Sequence, residues 1–163
     1  MIILGIDPGY ATLGYGVIRS EKGRHTAVAY GTIETPKGER FPARLKVAAE
    51  QMEILIEKYK PDAIAVEELF FSTNQKTVIL VAEVRGVILL VSERSNARLY
   101  EYTPLQIKQA LTGYGRAEKK QMQEMVKLFL GLSKIPKPDD AADALAVAIT
   151  HAQTNTALGD FRA

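Results

Sequence analysis

The sequence contains no cysteine and only two histidines, His25 and His151. The lack of cysteine excludes a disulfide framework, a thiolate nucleophile and a cysteine metal site. The small number of histidines disfavours a zinc site built on several imidazoles. Any metal would therefore be held mainly by oxygen atoms, which indicates Mg²⁺ or Mn²⁺.

Long apolar runs are also lacking. The most apolar stretch, Val78 to Val91, is interrupted by two charged residues and a glycine. It falls short of the ~18 apolar residues expected of a membrane span. The opening residues, MIILGID, contain no basic segment of the kind that begins a signal peptide. We therefore expect a cytoplasmic protein with no membrane association.

The composition is that of an ordinary globular domain. The chain has 163 residues, of which 47% are apolar and 25% are charged, and its formal net charge is +2. A chain of this length forms one domain with a sizeable core. We expect a single domain over residues 1–155, followed by a loosely ordered tail over residues 156–163.

Basic residues are concentrated in one part of the chain. Between Pro104 and Lys137 there are seven Lys or Arg residues and two Glu residues. Such a run indicates either a solvated helix face or a footprint for nucleic-acid phosphates. Composition alone leaves both interpretations open.

The hydrophobic pattern predicts strands first and a helix–strand alternation later. The predicted strands are 2–7, 14–20, 25–35, 62–68 and 98–103. The predicted helices are 41–59, 74–95, 104–111, 117–130 and 139–153, with a Gly-Tyr-Gly loop at 113–115. This order indicates an α/β protein with a mixed sheet and helices on its faces. Because helix 74–95 is apolar on nearly every side, we expect it in the core or at a subunit interface.

Carboxylates stand at the ends of two predicted strands. Asp7 ends the first strand, and Glu67 and Glu68 end the strand at 62–68. Ligands of open α/β sheets tend to bind beyond the carboxyl ends of strands. Neighbouring strand residues face opposite sides, so only one of the two glutamates can point into a given cleft, and the spacing leaves that choice open. Taken alone, Asp7 before Pro-Gly is ordinary turn chemistry.

The last predicted helix begins with Asp139 and Asp140 and carries Asp143 one turn later. Aspartate is favoured at a helix start, but a single aspartate is enough for a cap. Asp140 and Asp143 share a face at i and i+3, with alanines around them. His151 lies about 16 Å beyond Asp140 along the axis, so we expect it to be a core histidine or an indirect support of the site.

Four carboxylates that converged unpaired would repel one another strongly. A divalent cation removes that conflict. Two Mg²⁺ ions held in this way could stabilise both the attacking water and the leaving oxygen of a phosphodiester. This chemistry needs no nucleophilic side chain, which agrees with the absence of cysteine.

Three motifs occur in a recognisable order: GIDPGYATLGYGVI at 5–18, AVEELFF at 65–71 and DDAADALAVAITH at 139–151. Together with AEKKQMQEMV at 117–126, they resemble the RuvC family of Holliday-junction resolvases over nearly the whole chain. The resemblance implies an RNase H-like fold, with a five-stranded mixed sheet and helices on both faces. It also implies a homodimeric endonuclease that nicks four-way DNA junctions symmetrically, in collaboration with the RuvA–RuvB branch-migration complex.

The resemblance also implies site residues and a cofactor. The residues that it assigns to catalysis and metal binding are Asp7, Glu67, Asp140 and Asp143. The residues that it assigns to DNA contact are Phe70, Lys108, Lys119 and Lys120. It thereby selects Glu67 over Glu68 and Asp140 over Asp139. The implied cofactor is Mg²⁺, with Mn²⁺ as a substitute and two ions per site.

Two other functions stay open at this point. A phosphate-binding ATPase domain of the actin–sugar-kinase type also opens with a glycine-rich hairpin beside an aspartate. That architecture needs a second, duplicated domain, for which 163 residues leave no space. The other alternative is a relative that binds junctions or RNA without cutting them, and the complete set of four carboxylates argues against it.

Overall fold

The computed structural model describes residues 1–69 and 75–157, with no account of the side chains of Gln75 and residues 155–157. Phe70, a predicted DNA contact, lies outside the described residues, as do residues 158–163 of the predicted tail. The strands are β1 Ile2–Asp7, β2 Thr12–Glu21, β3 Arg24–Glu34, β4 Ala63–Glu67 and β5 Arg98–Tyr102. The helices are α1 Phe41–Tyr59, α2 Gln75–Glu93, α3 Pro104–Thr112, α4 Lys119–Phe129 and α5 Asp139–Ala157.

The strands form one five-stranded mixed sheet in the order β3-β2-β1-β4-β5. β1, β2 and β3 pair antiparallel, whereas β4 is parallel to β1 and β5 is parallel to β4. Lys22 and Gly23 both have positive φ, at 49° and 78°, as a two-residue hairpin between right-twisted strands requires. Because β1, β4 and β5 run parallel to one another, their carboxyl ends meet at one edge of the sheet.

Helices cover both faces of the sheet, as predicted. Alternate strand residues such as Ile3 and Ala65 join a buried cluster with α3, α4 and α5. The residues between them, such as Leu4 and Ile64, join a second buried cluster with α1 and α2. This alternation follows from the two-residue period of a strand, and it places β1 and β4 at the centre of the core.

The observed elements follow the predicted ones with small shifts at their ends. α4 begins at Lys119 instead of residue 117, because Glu118 caps the helix: its backbone N–H donates to Oε1 of Gln121 at 2.8 Å. α5 continues to Ala157, beyond the predicted end at residue 153, because no glycine or proline interrupts the chain there. Among the described residues, no helix combines the length and apolar character that a membrane span requires.

His151 is a core residue, as expected. Its side chain is 2% exposed, and its Nδ1 lies 2.8 Å from the hydroxyl of Tyr102. Its ring also lies against Tyr100, with the ring centroids 4.2 Å apart. His151 therefore fills the interior between α5 and β5, away from the helix start that carries Asp140 and Asp143.

Candidate active site

Asp7 and Glu67 lie side by side at the carboxyl ends of neighbouring parallel strands. The register pairs Ile6 with Val66, so the next residue of each strand is one of these two acids. Each lies two residues beyond a strand residue that faces α5, Gly5 for Asp7 and Ala65 for Glu67, and their side chains are joined by a hydrogen bond. The strand pairing therefore brings together two acids that are sixty residues apart in the chain.

Glycines allow α5 to approach the sheet closely enough to complete the site. A Cβ atom added to Gly14 would lie 1.9 Å from the carbonyl oxygen of Asp140, and one added to Gly5 would lie 2.2 Å from that of Ala144. The backbone of α5 therefore rests directly on β1 and β2. Because Gly14 pairs with Asp7, this contact sets the first turn of α5 against the end of β1.

These glycines were not predicted from the sequence to belong to the site. The available signal was their position inside predicted strands, where glycine often marks close approach of another backbone. The residues of α5 on this side are also small, since Ala141, Ala144 and Ala148 are alanines and are fully buried. Small residues on α5 and on the sheet thus determine how closely Asp140 and Asp143 lie to Asp7.

One carboxylate oxygen from each of Asp7, Asp140 and Asp143 lies within 4.8 Å of the other two. Oxygen atoms bound to one Mg²⁺ or Ca²⁺ ion lie about 2.0–2.6 Å from it, so this spacing suits a shared cation. Glu67 joins the group through its contact with Asp7. We call these four residues the acidic cluster. The structure thus brings together all four acids that the resemblance indicated.

The electrostatics of the acidic cluster favour a bound cation. Burial, reinforced by the charges of Glu67 and Asp143, raises the pKa of Asp7 from 3.8 to about 9. Burial also raises the pKa of Glu67 and that of Asp143. Without a cation the cluster therefore retains a proton at neutral pH. A divalent cation would replace that proton and offset the remaining charge, so these residues fit a metal site.

Lys119 contacts the acidic cluster directly. Its Nζ lies 3.1 Å from Oδ2 of Asp143 and 3.7 Å from Oδ2 of Asp139. Partial burial acts to lower the pKa of Lys119, but the hydrogen bond and charge of Asp143 outweigh it and raise that pKa. Asp139 instead bonds at the surface to Lys137, with Nζ to Oδ1 at 2.7 Å. Asp139 thus differs from Asp140, which belongs to the cluster.

A cavity of about 250 Å³ opens beside the acidic cluster. Its lining residues include Asp7, Glu67 and Asp143, together with Lys108 and Lys119. We call it the acidic cavity. Lys120, the third predicted DNA-contact lysine, is exposed on the surface of α4. The cavity therefore combines carboxylates that suit a cation with two ammonium groups that suit a phosphate.

Comparison with known proteins identifies the family. The family model described as "Crossover junction endodeoxyribonuclease RuvC" matches residues 3–151. The chain belongs to the RuvC family. The RuvC of Alkaliphilus oremlandii is 55% identical over 162 residues, which cover 99% of each chain. The RuvC of Petrotoga mobilis is 56% identical over 162 residues, which cover 99% of this chain and 95% of its own.

Solved structures of RuvC proteins share the fold. Thermus thermophilus RuvC superimposes with a TM-score of 0.89 at 34% identity, over 96% of each chain. The same RuvC in complex with a Holliday junction substrate gives a TM-score of 0.88 over 94% of this chain and 93% of the other. A yeast mitochondrial Holliday junction resolvase has the same fold, with a TM-score of 0.72 at 17% identity. The predicted family and the RNase H-like fold are confirmed, and the family is one of metal-dependent nucleases.

Proposed function

We propose that this RuvC-family chain is a divalent-cation-dependent endonuclease that resolves four-way DNA junctions by paired, symmetric nicks during recombination and repair. The observation that carries the proposal is the convergence of Asp7, Asp140 and Asp143 within 4.8 Å. The substrate is supported by the similarity to a RuvC solved with a Holliday junction. The reaction is hydrolysis of a phosphodiester, in which water adds to phosphorus and one P–O bond breaks, so each nick leaves two new strand ends, one a phosphate and the other a hydroxyl.

The proposed cofactor is Mg²⁺, with two ions per site and Mn²⁺ as a substitute. Asp7, Glu67, Asp140 and Asp143 would hold the ions, because Asp7 contacts Glu67 and lies near Asp140 and Asp143. When bound, the ions would stabilise the attacking water and the leaving oxygen. The purely oxygen-donating cluster supports this choice, since carboxylate oxygens suit Mg²⁺ and Mn²⁺.

The proposed role of the lysines is to hold the DNA backbone over the acidic cluster. Lys108 and Lys119 line the acidic cavity, where an ammonium group can bind a phosphate oxygen. Lys120 is exposed one residue further along α4 and suits a contact with a neighbouring phosphate. Phe70 stays a prediction from the resemblance, with an unpaired base at the crossover as its proposed stacking partner.

The proposed assembly is a homodimer formed through α2. Val84, Ile88 and Val91 of α2 are buried against the sheet, whereas Ile79 and Leu90 are 60% and 52% exposed. Together with the exposed Gly86, Ile79 and Leu90 form a stripe at helical spacing that is apolar except for the exposed Glu83 beside them; we call it the apolar stripe. A two-fold dimer would present two acidic clusters to the two symmetric strands of a junction.

Further partners and location rest on the resemblance. We propose the RuvA–RuvB branch-migration complex as a partner, because the resemblance implies a resolvase that collaborates with this complex. We also propose a cytoplasmic location, because the proposed DNA substrate would be found there.

The function is tested by incubating the protein with a mobile four-way junction and with a linear duplex, with and without Mg²⁺. We expect paired nicks in the junction alone and only when Mg²⁺ is present. Asp7→Asn should abolish nicking while junction binding persists. Junction binding without nicking by the unaltered protein would favour a non-catalytic relative, and rapid ATP hydrolysis would favour the ATPase alternative.

A further inference from the structure

The Gly-Tyr-Gly loop at residues 113–115 has no part in the function proposed so far. It joins α3 to α4, the helices that carry Lys108 and Lys119. Gly113 ends α3 with φ at 70°, and its N–H donates to the carbonyl oxygen of Gln109 at 2.8 Å. Because this conformation favours glycine, the chain leaves α3 in a defined direction.

Several contacts fix the backbone around Tyr114. The N–H of Tyr114 donates to the hydroxyl of Thr112 at 3.1 Å. The same hydroxyl lies 2.8 Å from the carbonyl oxygen of Lys108. Gly115 packs against Leu105, because a Cβ atom at Gly115 would lie 2.5 Å from Cδ1 of Leu105. The loop is thus held to α3 on either side of Tyr114.

The Tyr114 side chain projects from this fixed loop into solvent. It is 57% exposed, and the side chain of Leu105 beside the loop is 54% exposed. A single exposed aromatic residue is ordinary on a protein surface. Here it stands on a loop held by its own hydrogen bonds and beside a site for a polyanion, and both features favour a contact role.

Charge and position identify the ligand class. Arg116, Lys119 and Lys120 are exposed and follow Tyr114 within six residues of the chain, and Glu118 is the one acidic residue between Pro104 and Gln123. Ala117, which follows Arg116, lines the acidic cavity. The loop therefore leads directly into the lining of the cavity, and we call residues 113–116 the rim of the cavity. An aromatic ring among cations suits a nucleic-acid strand, where rings stack on bases or sugars and cations bind phosphates.

We propose that Tyr114 and Arg116 form a second contact point for the strand that is cut, on the rim of the acidic cavity. Tyr114 packs its ring on a base or sugar next to the scissile phosphate, and Arg116 binds a phosphate of the same strand. This inference rests on the proposed junction substrate, and it adds a contact outside the acidic cluster and its lysines.

The test measures binding of a fluorescent four-way junction by anisotropy, with full-length protein carrying Asp7→Asn so that the DNA stays intact in Mg²⁺. Adding Tyr114→Ala should weaken binding roughly 10-fold, as expected for loss of one stacking contact. Tyr114→Phe keeps the ring and should stay within about twofold of the parent. The matched control is Tyr30→Ala on the edge strand β3, where Tyr30 is 38% exposed; we expect it to bind like the parent.

Arg116→Gln separates the phosphate contact from the ring contact. It should reduce the slope of log affinity against log salt by about one, whereas Tyr114→Ala should leave that slope unchanged. Thermal melting confirms that each variant is folded. If the parent binds the junction and Tyr114→Ala binds equally well, the inference is overturned while the proposed function stands. Failure of the parent to bind any junction would overturn both.

Discussion

The ammonium group of Lys119 lies 3.1 Å from Oδ2 of Asp143, at the edge of the acidic cluster. The contact joins α4 to α5 across twenty-four residues of sequence. A metal ion bound by Asp143 would compete with this ammonium group for the same carboxylate oxygen. Cation binding would therefore release Lys119 toward the acidic cavity, where a phosphate could take the place of Asp143 as its partner.

The contact predicts the effect of Lys119→Met on metal binding. Without the competing ammonium group, the DNA-free protein should bind Mn²⁺ roughly two- to fivefold more tightly, because a partly exposed ion pair contributes up to about 1 kcal/mol. Nicking of a junction should fall, because one phosphate contact is lost. Isothermal titration calorimetry with Mn²⁺ measures the first effect.

Lys120→Met is the matched control, because it removes the same charge from an exposed neighbouring position on α4. It should change Mn²⁺ affinity much less than Lys119→Met does. Equal affinities in all three proteins would show that Lys119 does not compete with the cation. An equal gain in both variants would indicate a general effect of charge.

A second prediction concerns pH and Asp7. Its pKa is raised from 3.8 to about 9 in the cation-free protein, so the folded state binds this proton more tightly than the unfolded state. Its contribution to stability is therefore complete below about pH 4 and is lost as the pH rises toward 9. Asp7→Asn, which cannot ionise, should be more stable than the unaltered protein at pH 8 in EDTA, by about 1 kcal/mol or more.

Urea denaturation from pH 5 to pH 9 measures this difference. It should shrink toward pH 5, and saturating Mg²⁺ should reverse it, because the cation stabilises only the protein that binds it. Asp139→Asn is the control, since Asp139 bonds to Lys137 at the surface and its pKa is lowered. If the difference in the free energy of unfolding between Asp7→Asn and the unaltered protein did not change with pH, the pKa assigned to Asp7 would be contradicted.

A third prediction concerns the contact between α5 and the sheet. The added Cβ of Gly14→Ala would lie 1.9 Å from a backbone oxygen of Asp140, so α5 must move. We expect a loss of about 2–3 kcal/mol in the free energy of unfolding, together with weaker Mn²⁺ binding as Asp140 and Asp143 shift away from Asp7. Denaturation and calorimetry measure these two effects.

Gly31→Ala is the matched glycine control. Its added Cβ would meet the side chain of Tyr15 at 2.9 Å, and a side chain can move aside more easily than a helix backbone. Gly31→Ala should lower the free energy of unfolding less than Gly14→Ala does, and it should leave the Mn²⁺ affinity unchanged. Unaltered metal binding in Gly14→Ala would mean that the glycine contact does not position the acidic cluster.

The elements could be predicted from the sequence because their signals are local. Helical spacing from Phe41 to Tyr59 and the apolar run before Glu67 each depend on a few neighbouring residues. The acids themselves were recognisable because they end strands or begin a helix. The family resemblance, rather than spacing, selected Glu67 and Asp140 from their neighbours.

Other features of the site depend on contacts distant in sequence and could not be predicted in this way. The depth at which α5 rests on Gly5 and Gly14 follows from two backbones meeting. The bond from Lys119 to Asp143 and the raised pKa of Asp7 require the folded arrangement of several elements. Sequence periodicity describes one element at a time, so it carries no measure of these distances.

The last prediction concerns the proposed dimer. Leu90 is 52% exposed on the apolar stripe of α2, so Leu90→Glu would place a charge in a dimer interface that excludes water. The variant should be a monomer by analytical ultracentrifugation at concentrations where the unaltered protein is a dimer, and it should lose paired nicking of the junction. Leu128→Glu is the control, because Leu128 is 71% exposed on α4, away from this stripe. A Leu90→Glu protein that stays dimeric would place the interface elsewhere, and a monomeric unaltered protein would exclude the dimer itself.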